Sequence, residues 1–292
     1  MKNLFIGILL IAITFSCKKT EIDIIENSIK AFKTGLNLDT INFNDQSRHF
    51  KFYIPDNLSD NASLLFRFHG SRNPLPDYAT NVEPGPLRGL KEDYVLNKIA
   101  ETENIIVVYP AARLNGATFN WTEKDANLEF FDEMLNYFQN QFSNIDFNKV
   151  YVCGHSSGAI FSFVLAGNRA NVIAAAVPVS GQYKLISGNN DSFTLDNIST
   201  PIRAYNGVLD TRVNYDAAYA NFTIWVALEN KGNPESIENS NFNIDTYNVT
   251  RTRWLGGFSD MEMYSFGNVG HSFSWDIIAE SMWDFMKSHK KE

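Results

Sequence analysis

The 292-residue sequence predicts one α/β domain with a mostly parallel central sheet and helices on both faces. Three observations lead to this fold class. Short strand-like runs alternate with longer helical patterns from about residue 45 onward. Several of the strand-like runs are apolar throughout, which is typical of strands buried on both faces. No linker rich in Pro, Gly or Ser divides the region, so residues 45–292 are predicted to form a single domain.

Six short runs predict the central strands, and three longer segments predict helices. The helical pattern is clearest over residues 127–142, where Leu128, Phe131, Leu135 and Phe138 recur at steps of three and four and predict one buried stripe. Alternating strands and helices imply right-handed crossovers between parallel strands. The strand-like runs are HFKFYI (49–54), SLLFRF (63–68), NIIVVY (104–109), KVYVCG (149–154), AAAVPV (174–179) and PIRAYN (201–206), and the other helical segments are 215–230 and 274–289.

The first 44 residues differ from the rest of the chain. Residues 1–16 hold a short polar start and an apolar run, which together are typical of a secretory signal peptide. Cys17 follows a small residue at the end of this run and resembles the lipidated cysteine of bacterial lipoproteins. We therefore expect export to the bacterial cell envelope, on the periplasmic or outer-surface side, with a lipid anchor at Cys17 and a tether over 17–44. An ordinary signal peptide with an incidental cysteine is the alternative.

Composition narrows the class of protein. Hydrophobic residues make up 44% and charged residues 20%, as in a globular protein with a substantial core. The net charge of -8 argues against nucleic acid as a partner, because binding nucleic acid needs a basic surface. The CxxC and HExxH patterns of zinc sites do not occur, so neither a metal nor a cofactor is predicted. Cys153 lies in an apolar run and is expected to be a buried small side chain.

The sequence GHSSG at residues 154–158 fits the pattern G-x-S-x-G with Ser156 at its centre. A strand-like run precedes it and the helical run AIFSFVLAG follows it, which is the strand–turn–helix context of a nucleophile elbow. Glycines are needed because this turn is too tight for bulky neighbours, and the serine itself takes a strained backbone conformation. Ser156 is therefore predicted as a nucleophile. A glycine-rich turn with incidental serines is the alternative.

A serine hydroxyl needs a base, and His271 is the best candidate among the histidines. It lies in a glycine-bearing loop between the strand-like run MEMYSF and the last helix, where it could return to Ser156. His155 is adjacent to Ser156, but consecutive side chains diverge at a sharp turn, so His155 is expected to line the pocket. His49 opens an early strand and His289 lies in the charged tail.

Asp210 is predicted as the acid that orients His271. It ends the run PIRAYNGVLD, which passes from a strand into a turn. The order Ser156, Asp210, His271 is the order of the α/β-hydrolase fold. Asp216 is the next candidate, although its pattern places it inside the following helix. Asp245 and Asp260 are less well placed.

A tetrahedral intermediate needs backbone donors for its oxyanion. The amide of Ser157, directly after the nucleophile, is predicted as one donor. The amide of Ser71, after the strand-like run that ends in His69–Gly70, is predicted as the second, with Gly70 as the alternative. His69 is expected to be structural.

Three side chains are candidates for the substrate cleft: Trp121, His155 and Phe273. Trp121 lies in a loop beyond the run VVYP, and packing in the core or at the rim is an equally open interpretation of its role. Trp275 is expected to pack the last helix.

These segments together resemble the extracellular polyhydroxybutyrate depolymerase and feruloyl esterase family from about residue 48 to residue 285. The resemblance implies an α/β-hydrolase fold with Ser156, Asp210 and His271 as the triad. The chain departs from the family where Phe273 replaces a frequent Trp, and where NKGNP replaces a frequent cysteine. Residues 182–199 look like a local insertion that could reshape the pocket rim. The matching motifs are FRFHGS (66–71), VVYP (107–110), the segment 127–166, AAAVPVSG (174–181), PIRAYNGVLDTRVNY (201–215) and GHSF (270–273).

The expected function is that of an exported, lipid-anchored serine esterase. The resemblance implies a feruloyl or acetyl ester of plant cell-wall polysaccharide as substrate, and a hydroxyalkanoate oligomer or polyester as the alternative. A peptidase is a weaker enzymatic candidate. A non-catalytic lipoprotein that binds a ligand is the alternative outside enzymes. The expected partners are a small-molecule or polysaccharide ester and, through Cys17, a membrane.

Overall fold

The structure is a computed structural model that describes residues 30–72, 93–183, 199–230, 234–272 and 274–292. The helices are α1 (Asp93–Glu103), α2 (Lys124–Gln141), α3 (Ser157–Asn168), α4 (Tyr215–Glu229) and α5 (Trp275–Lys287). The strands are β1 (Gly35–Phe43), β2 (Gln46–Ile54), β3 (Ala62–Phe68), β4 (Ile105–Pro110), β5 (Arg113–Asn115), β6 (Thr118–Asn120), β7 (Ile145–His155), β8 (Ile173–Val179), β9 (Ile202–Gly207), β10 (Ser236–Ile244), β11 (Tyr247–Leu255) and β12 (Met261–Phe266).

Ten of these strands form one sheet in the order β1-β2-β4-β3-β7-β8-β9-β12-β11-β10, and β5 and β6 form a separate small hairpin. The strands from β4 to β12 in this order run parallel. An antiparallel hairpin flanks them on each side, β1–β2 at one edge and β10–β11 at the other. The predicted α/β class with a mostly parallel sheet is confirmed. The carboxyl ends of the parallel strands therefore meet along one edge of the sheet, where ligands bind in folds of this kind.

Two apolar layers cover the two faces of the sheet. Side chains such as Phe66 on β3 and Val152 on β7 pack with α2, α3 and α4 on one face. Their neighbours Leu65 and Cys153 pack with α1 and α5 on the other. Strands buried on both faces explain why β3, β4 and β8 are fully buried along their whole length. Cys153 is buried as predicted, and burial raises the pKa of its thiol to about 12.

The sheet begins earlier in the chain than the sequence indicates. Residues 35–43, predicted as part of the tether 17–44, form β1 and pair with β2 along their full length. Asn44 and Asp45 both have positive φ, and they form the tight turn between the two strands. The start of the domain at residue 45 is therefore wrong, because β1 supplies an edge strand of the sheet. Residues 1–29, with the signal peptide and Cys17, lie outside the described residues.

An ion pair connects β9 and β12, the two strands that lead to the candidate acid and base. Arg203 and Glu262 face each other in the parallel register, and Nε of Arg203 lies 2.7 Å from Oε2 of Glu262. The Arg203 guanidinium also lies over the rings of Tyr264 and Phe285. Both charges are largely buried, and a shift in the register of β9 against β12 would break this pair, leaving Glu262 with Arg253 of β11 as its ion-pair partner. Among the described helices, none has the length and apolar character needed to cross a membrane.

Candidate active site

Ser156 occupies a strained turn between β7 and α3. Its φ of 54° and ψ of -116° lie outside the regions that residues with a side chain ordinarily adopt. The turn is also crowded. A Cβ on Gly158 would lie 2.3 Å from the carbonyl oxygen of Phe68 on β3, and a Cβ on Gly154 would lie 2.3 Å from the carbonyl oxygen of Gly158. The two glycines of the GHSSG sequence are therefore required by the close approach of three backbone segments.

The predicted nucleophile, base and acid form one chain of hydrogen bonds. Nε2 of His271 lies 3.0 Å from Oγ of Ser156, and Nδ1 of His271 lies 2.8 Å from Oδ2 of Asp210. The carboxylate accepts the hydrogen that Nδ1 carries, so the neutral ring has a lone pair on Nε2 that can accept the hydroxyl hydrogen of Ser156. The side chain of Asp210 is fully buried, and its Oδ1 accepts hydrogen bonds from the amides of Arg212 and Val213. Both carboxylate oxygens of Asp210 thus accept hydrogen bonds that hold the side chain in place.

Two adjacent loops bring His271 to Asp210. Asp210 follows β9 and His271 follows β12, and these strands are parallel neighbours. The loops are joined where the amide of Leu209 donates to the carbonyl of Val269 at 2.9 Å. A Cβ on Gly207 would lie 2.2 Å from that same carbonyl oxygen, so only glycine fits between the loops. Asp216 lies in α4, as its pattern predicted, and Asp245 lies in the turn between β10 and β11.

The segments predicted to supply the oxyanion donors lie beside Ser156. Ser157 is the first residue of α3. A Cβ on Gly70 would lie 3.3 Å from Cβ of Ser156, so the loop that carries Ser71 passes directly over the elbow. Paired backbone hydrogen bonds between Arg72 and Phe119 hold the next residue of this loop against β6. The assignment of the donors to Ser71 and Ser157 stays a prediction.

The side chain of His69 is buried and uncharged, and its hydrogen bonds hold this loop in place. Its Nδ1 donates to the carbonyl of Gly70 at 2.6 Å, and its Nε2 accepts from the amide of Ala112 at 3.1 Å. Burial lowers the pKa of His69 from 6.5 to about 3. The neutral ring can make both hydrogen bonds, whereas the protonated ring would turn Nε2 into a donor facing another donor.

Trp121, a candidate for the substrate cleft, belongs to the core instead. Its side chain is 1% exposed, stacks on Phe161 and meets the ring of Phe68 edge-on. Its Nε1 donates to the carbonyl of His69 at 2.9 Å, so Trp121 anchors the end of β3. The cleft interpretation is wrong because the loop after β4 folds inward over α3. Phe273 lies outside the described residues.

His155, predicted to line the pocket, is half-buried and has a specific partner in the loop that carries the base. Its Nε2 donates to the backbone carbonyl of His271 at 2.9 Å, and the two imidazole rings lie 5.0 Å apart. Sequence patterns do not signal this contact, since 116 residues separate the two histidines. Trp275 packs at the start of α5 as predicted, beneath the guanidinium of Arg67.

Comparison with curated proteins finds relatives among esterases, although no protein-family model matches the sequence. Feruloyl esterase D of Neurospora crassa is 30% identical over 156 residues, which are 52% of this chain and 52% of that protein. Acetylxylan esterase A of Emericella nidulans is 27% identical over 139 residues, 45% of this chain and 41% of that protein. Poly(3-hydroxyalkanoate) depolymerase C of Paucimonas lemoignei is 28% identical over 151 residues, 49% of this chain and 33% of that protein. The chain spans about half or less of the length of these relatives.

Comparison with solved structures shows the same fold over most of the chain. An acetyl xylan esterase from Aspergillus awamori superposes with a TM-score of 0.62 and covers 86% of this chain and 99% of that chain, at 19% identity. The predicted α/β-hydrolase fold is confirmed by this likeness. The predicted resemblance to feruloyl esterases and polyhydroxyalkanoate depolymerases is confirmed by the curated relatives.

Replacement of Gly158 by alanine is expected to prevent folding or to lower the free energy of unfolding by more than about 3 kcal/mol. The added methyl group would overlap the backbone of β3. Gly267→Ala is the matched control, because its nearest neighbour atom lies 3.6 Å away. Soluble yield and urea unfolding measure both variants. A Gly158→Ala variant as stable as the control would contradict the crowded elbow.

Stability is expected to fall on acidification because of His69. Its folded pKa lies below its unfolded value, so only the unfolded chain binds the proton, and stability is lost as the pH falls below about 6.5. Between about pH 7 and pH 5 this amounts to roughly 2 kcal/mol. His69→Gln keeps an acceptor for Ala112 without the titrating group, so its free energy of unfolding should change less over that interval. Equal pH slopes for the two proteins would show that His69 is not held neutral.

Proposed function

We propose that this chain, which is related to feruloyl esterases, acetylxylan esterases and a polyhydroxyalkanoate depolymerase, is a serine carboxylic ester hydrolase. The observation that carries the proposal is the hydrogen-bonded chain from Ser156 through His271 to Asp210 at a strained strand–turn–helix junction. The three groups are a nucleophile, a base and an acid that orients the base, in the geometry that acyl transfer requires.

The hydrogen bonds of the three side chains determine how protons move in the first step of the reaction. Nε2 of His271 accepts the hydroxyl proton of Ser156 as the serine oxygen bonds to the ester carbonyl carbon. The imidazolium that forms is stabilised by the carboxylate of Asp210, which also holds the ring by its hydrogen bond to Nδ1. Asp210 keeps its place because two backbone amides bind its other oxygen.

Collapse of the tetrahedral intermediate expels the alcohol. His271 donates its proton to the leaving oxygen, and the acyl group stays on Ser156 as an ester. Water then attacks this ester while His271 again accepts a proton, and the second collapse releases the acid and restores Ser156. No group besides the three side chains has to move a proton.

The negative oxygen of each intermediate needs donors that are already in place. We propose the amides of Ser157 and Ser71 for this role, with Gly70 as the alternative second donor. The positions of these residues support the proposal. Ser157 begins α3 beside the nucleophile, and the Gly70 backbone packs against Ser156. The positive end of α3 adds to the stabilisation of an anion at this point.

The substrate that we propose is a feruloyl or acetyl ester of plant cell-wall polysaccharide. Its support is the similarity to proteins described as feruloyl esterase D and acetylxylan esterase A. A hydroxyalkanoate oligomer is the second candidate, favoured by the similarity to poly(3-hydroxyalkanoate) depolymerase C. Two exposed apolar side chains, Val208 and Leu209, directly precede the acid in the chain, and we propose them as an apolar contact for either kind of acyl group.

We also propose that the protein is exported and anchored by lipid on Cys17. The support is the apolar run and the cysteine that follows it in the sequence. The non-catalytic ligand-binding lipoprotein stays the alternative outside enzymes, and the activity measurement below distinguishes the two.

Hydrolysis of p-nitrophenyl acetate is expected for the wild-type protein and is expected to depend on the three side chains. Ser156→Ala and His271→Ala should lower kcat at least about 10³-fold, and Asp210→Asn should lower it roughly 10³- to 10⁴-fold because the tautomer of His271 would be wrong.

Ser157→Ala is the matched control for the nucleophile. It keeps the backbone amide and removes only a buried hydroxyl for which the structure shows no hydrogen-bond partner, so its kcat should stay near the wild-type value. A folded wild-type protein with no esterase activity would support the non-catalytic alternative, and activity that survives in Ser156→Ala would exclude the mechanism.

A substrate panel should separate the two ester classes. We expect the highest kcat/KM for methyl ferulate or acetylated xylan, and a lower value for hydroxybutyrate oligomers. The released acid, measured by chromatography, identifies the bond that is cleaved. A higher kcat/KM for hydroxybutyrate oligomers would replace the first candidate with the second.

Replacement of Cys17 by serine is expected to release the protein from the membrane fraction of a bacterial host. The thiol is the atom that would carry the lipid, and serine cannot replace it. Immunoblots of soluble and membrane fractions measure the change. A wild-type protein found entirely in the soluble fraction would exclude the anchor and favour an ordinary signal peptide.

A further inference from the structure

We propose that His155 is a positioning residue that sets the place of His271 relative to Ser156. The proposal rests on the proposed esterase function and deepens it, because it assigns a role to the histidine of GHSSG that the hydrolytic mechanism itself does not use. The first observation is the hydrogen bond from Nε2 of His155 to the main-chain oxygen of His271, at 2.9 Å. A carbonyl oxygen only accepts, so this bond requires a hydrogen on Nε2 of His155.

This hydrogen bond connects the base directly to the nucleophile turn. His155 is the last residue of β7 and pairs with Val179 of β8, and the amide of the next residue, Ser156, donates to the carbonyl of Val179. Its backbone is therefore fixed in the middle of the sheet. His271, in contrast, lies in a loop. The side chain of His155 thus ties the main chain of that loop to the residue that precedes the nucleophile.

The ring of His155 is itself held from the other side. Its Nδ1 lies 3.0 Å from the place that a Cβ on Gly70 would occupy, so the loop of Gly70 packs tightly against the ring edge. The ring therefore sits between the loop predicted to bind the oxyanion and the loop that carries the base. A displacement of either loop would move the ring or break its bond to the His271 carbonyl.

The hydrogen bond from His155 matters for the reaction because the rate depends on the distance between Ser156 and His271. Oγ of Ser156 and Nε2 of His271 lie 3.0 Å apart, and the hydrogen bond from His271 to Asp210 fixes the tilt of its ring. That second bond attaches His271 to the loop after β9, and not to β7, the strand that leads directly to the nucleophile. A misplacement of about 1 Å can lower the rate about 100-fold. The bond from His155 restrains that separation.

The role can be tested because glutamine and asparagine differ in reach. The side-chain amide of glutamine can place an N–H close to the position of Nε2 of histidine, so His155→Gln keeps the donor. The asparagine side chain is one methylene shorter, so His155→Asn loses contact with the His271 carbonyl but stays polar. His155→Leu fills similar space with no donor at all.

The experiment measures kcat and KM for p-nitrophenyl acetate, together with the thermal midpoint, for the wild type and these three variants. We expect His155→Gln to stay within about threefold of the wild-type kcat, and His155→Asn and His155→Leu to lose about 10- to 100-fold in kcat with KM changed less than about twofold. If His155→Leu does not fold, the kcat values of His155→Gln and His155→Asn still test the proposal.

His49→Leu is the matched control, since it also removes a half-buried imidazole that makes a side-chain hydrogen bond, here to Thr40 on the edge hairpin. Its kcat should equal the wild-type value even if its thermal midpoint falls. Equal activity of His155→Gln and His155→Asn would overturn the proposal, and so would a rise in KM at unchanged kcat, which would make His155 a substrate contact. A wild-type protein without esterase activity would instead overturn the proposed function.

Discussion

The close approach of three backbone segments at Ser156 is the constraint on which the rest of the site depends. The end of β3, the end of β7 and the first turn of α3 meet so tightly that Gly154 and Gly158 have no room for a side chain. Ser156 takes a positive φ in this turn, a conformation that costs about 1 to 3 kcal/mol for a residue with a side chain. The strain persists because buried parallel strands fix both ends of the turn, and it presents the hydroxyl at the carboxyl edge of the sheet.

Each other part of the site reaches that hydroxyl from the end of a neighbouring strand. The Gly70 loop follows β3, and a neutral buried His69 and the buried Trp121 hold it in place. Asp210 and His271 follow β9 and β12, whose parallel register brings Arg203 and Glu262 together as an ion pair. The geometry of the hydrogen-bonded chain is thus a property of strand pairing in the sheet. Strand pairing of this kind can persist at low identity, as the fold shared with an acetyl xylan esterase at 19% identity shows.

The sequence predicts the central sheet and the three hydrogen-bonded side chains, since each carries a local signal. Buried strands are apolar throughout, and GHSSG has a strand before it and a helix after it. Strands β1, β10 and β11 are not among the predicted strands. They lie in the hairpins at the two edges of the sheet, and most residues of β10 are exposed, so no continuous apolar run marks it. The burial of Trp121 and the bond between His155 and the His271 carbonyl also carry no local signal. Both depend on segments far apart in the chain, which only the folded structure brings together.

The proposed mechanism requires Ser156, activated by His271, to be the nucleophile. Treatment of the native protein with a fluorophosphonate probe, followed by mass mapping of the labelled peptide, tests this requirement. We expect a single label on Ser156 and no label in Ser156→Ala. A protein that takes no label, or that takes label undiminished in Ser156→Ala, would contradict it.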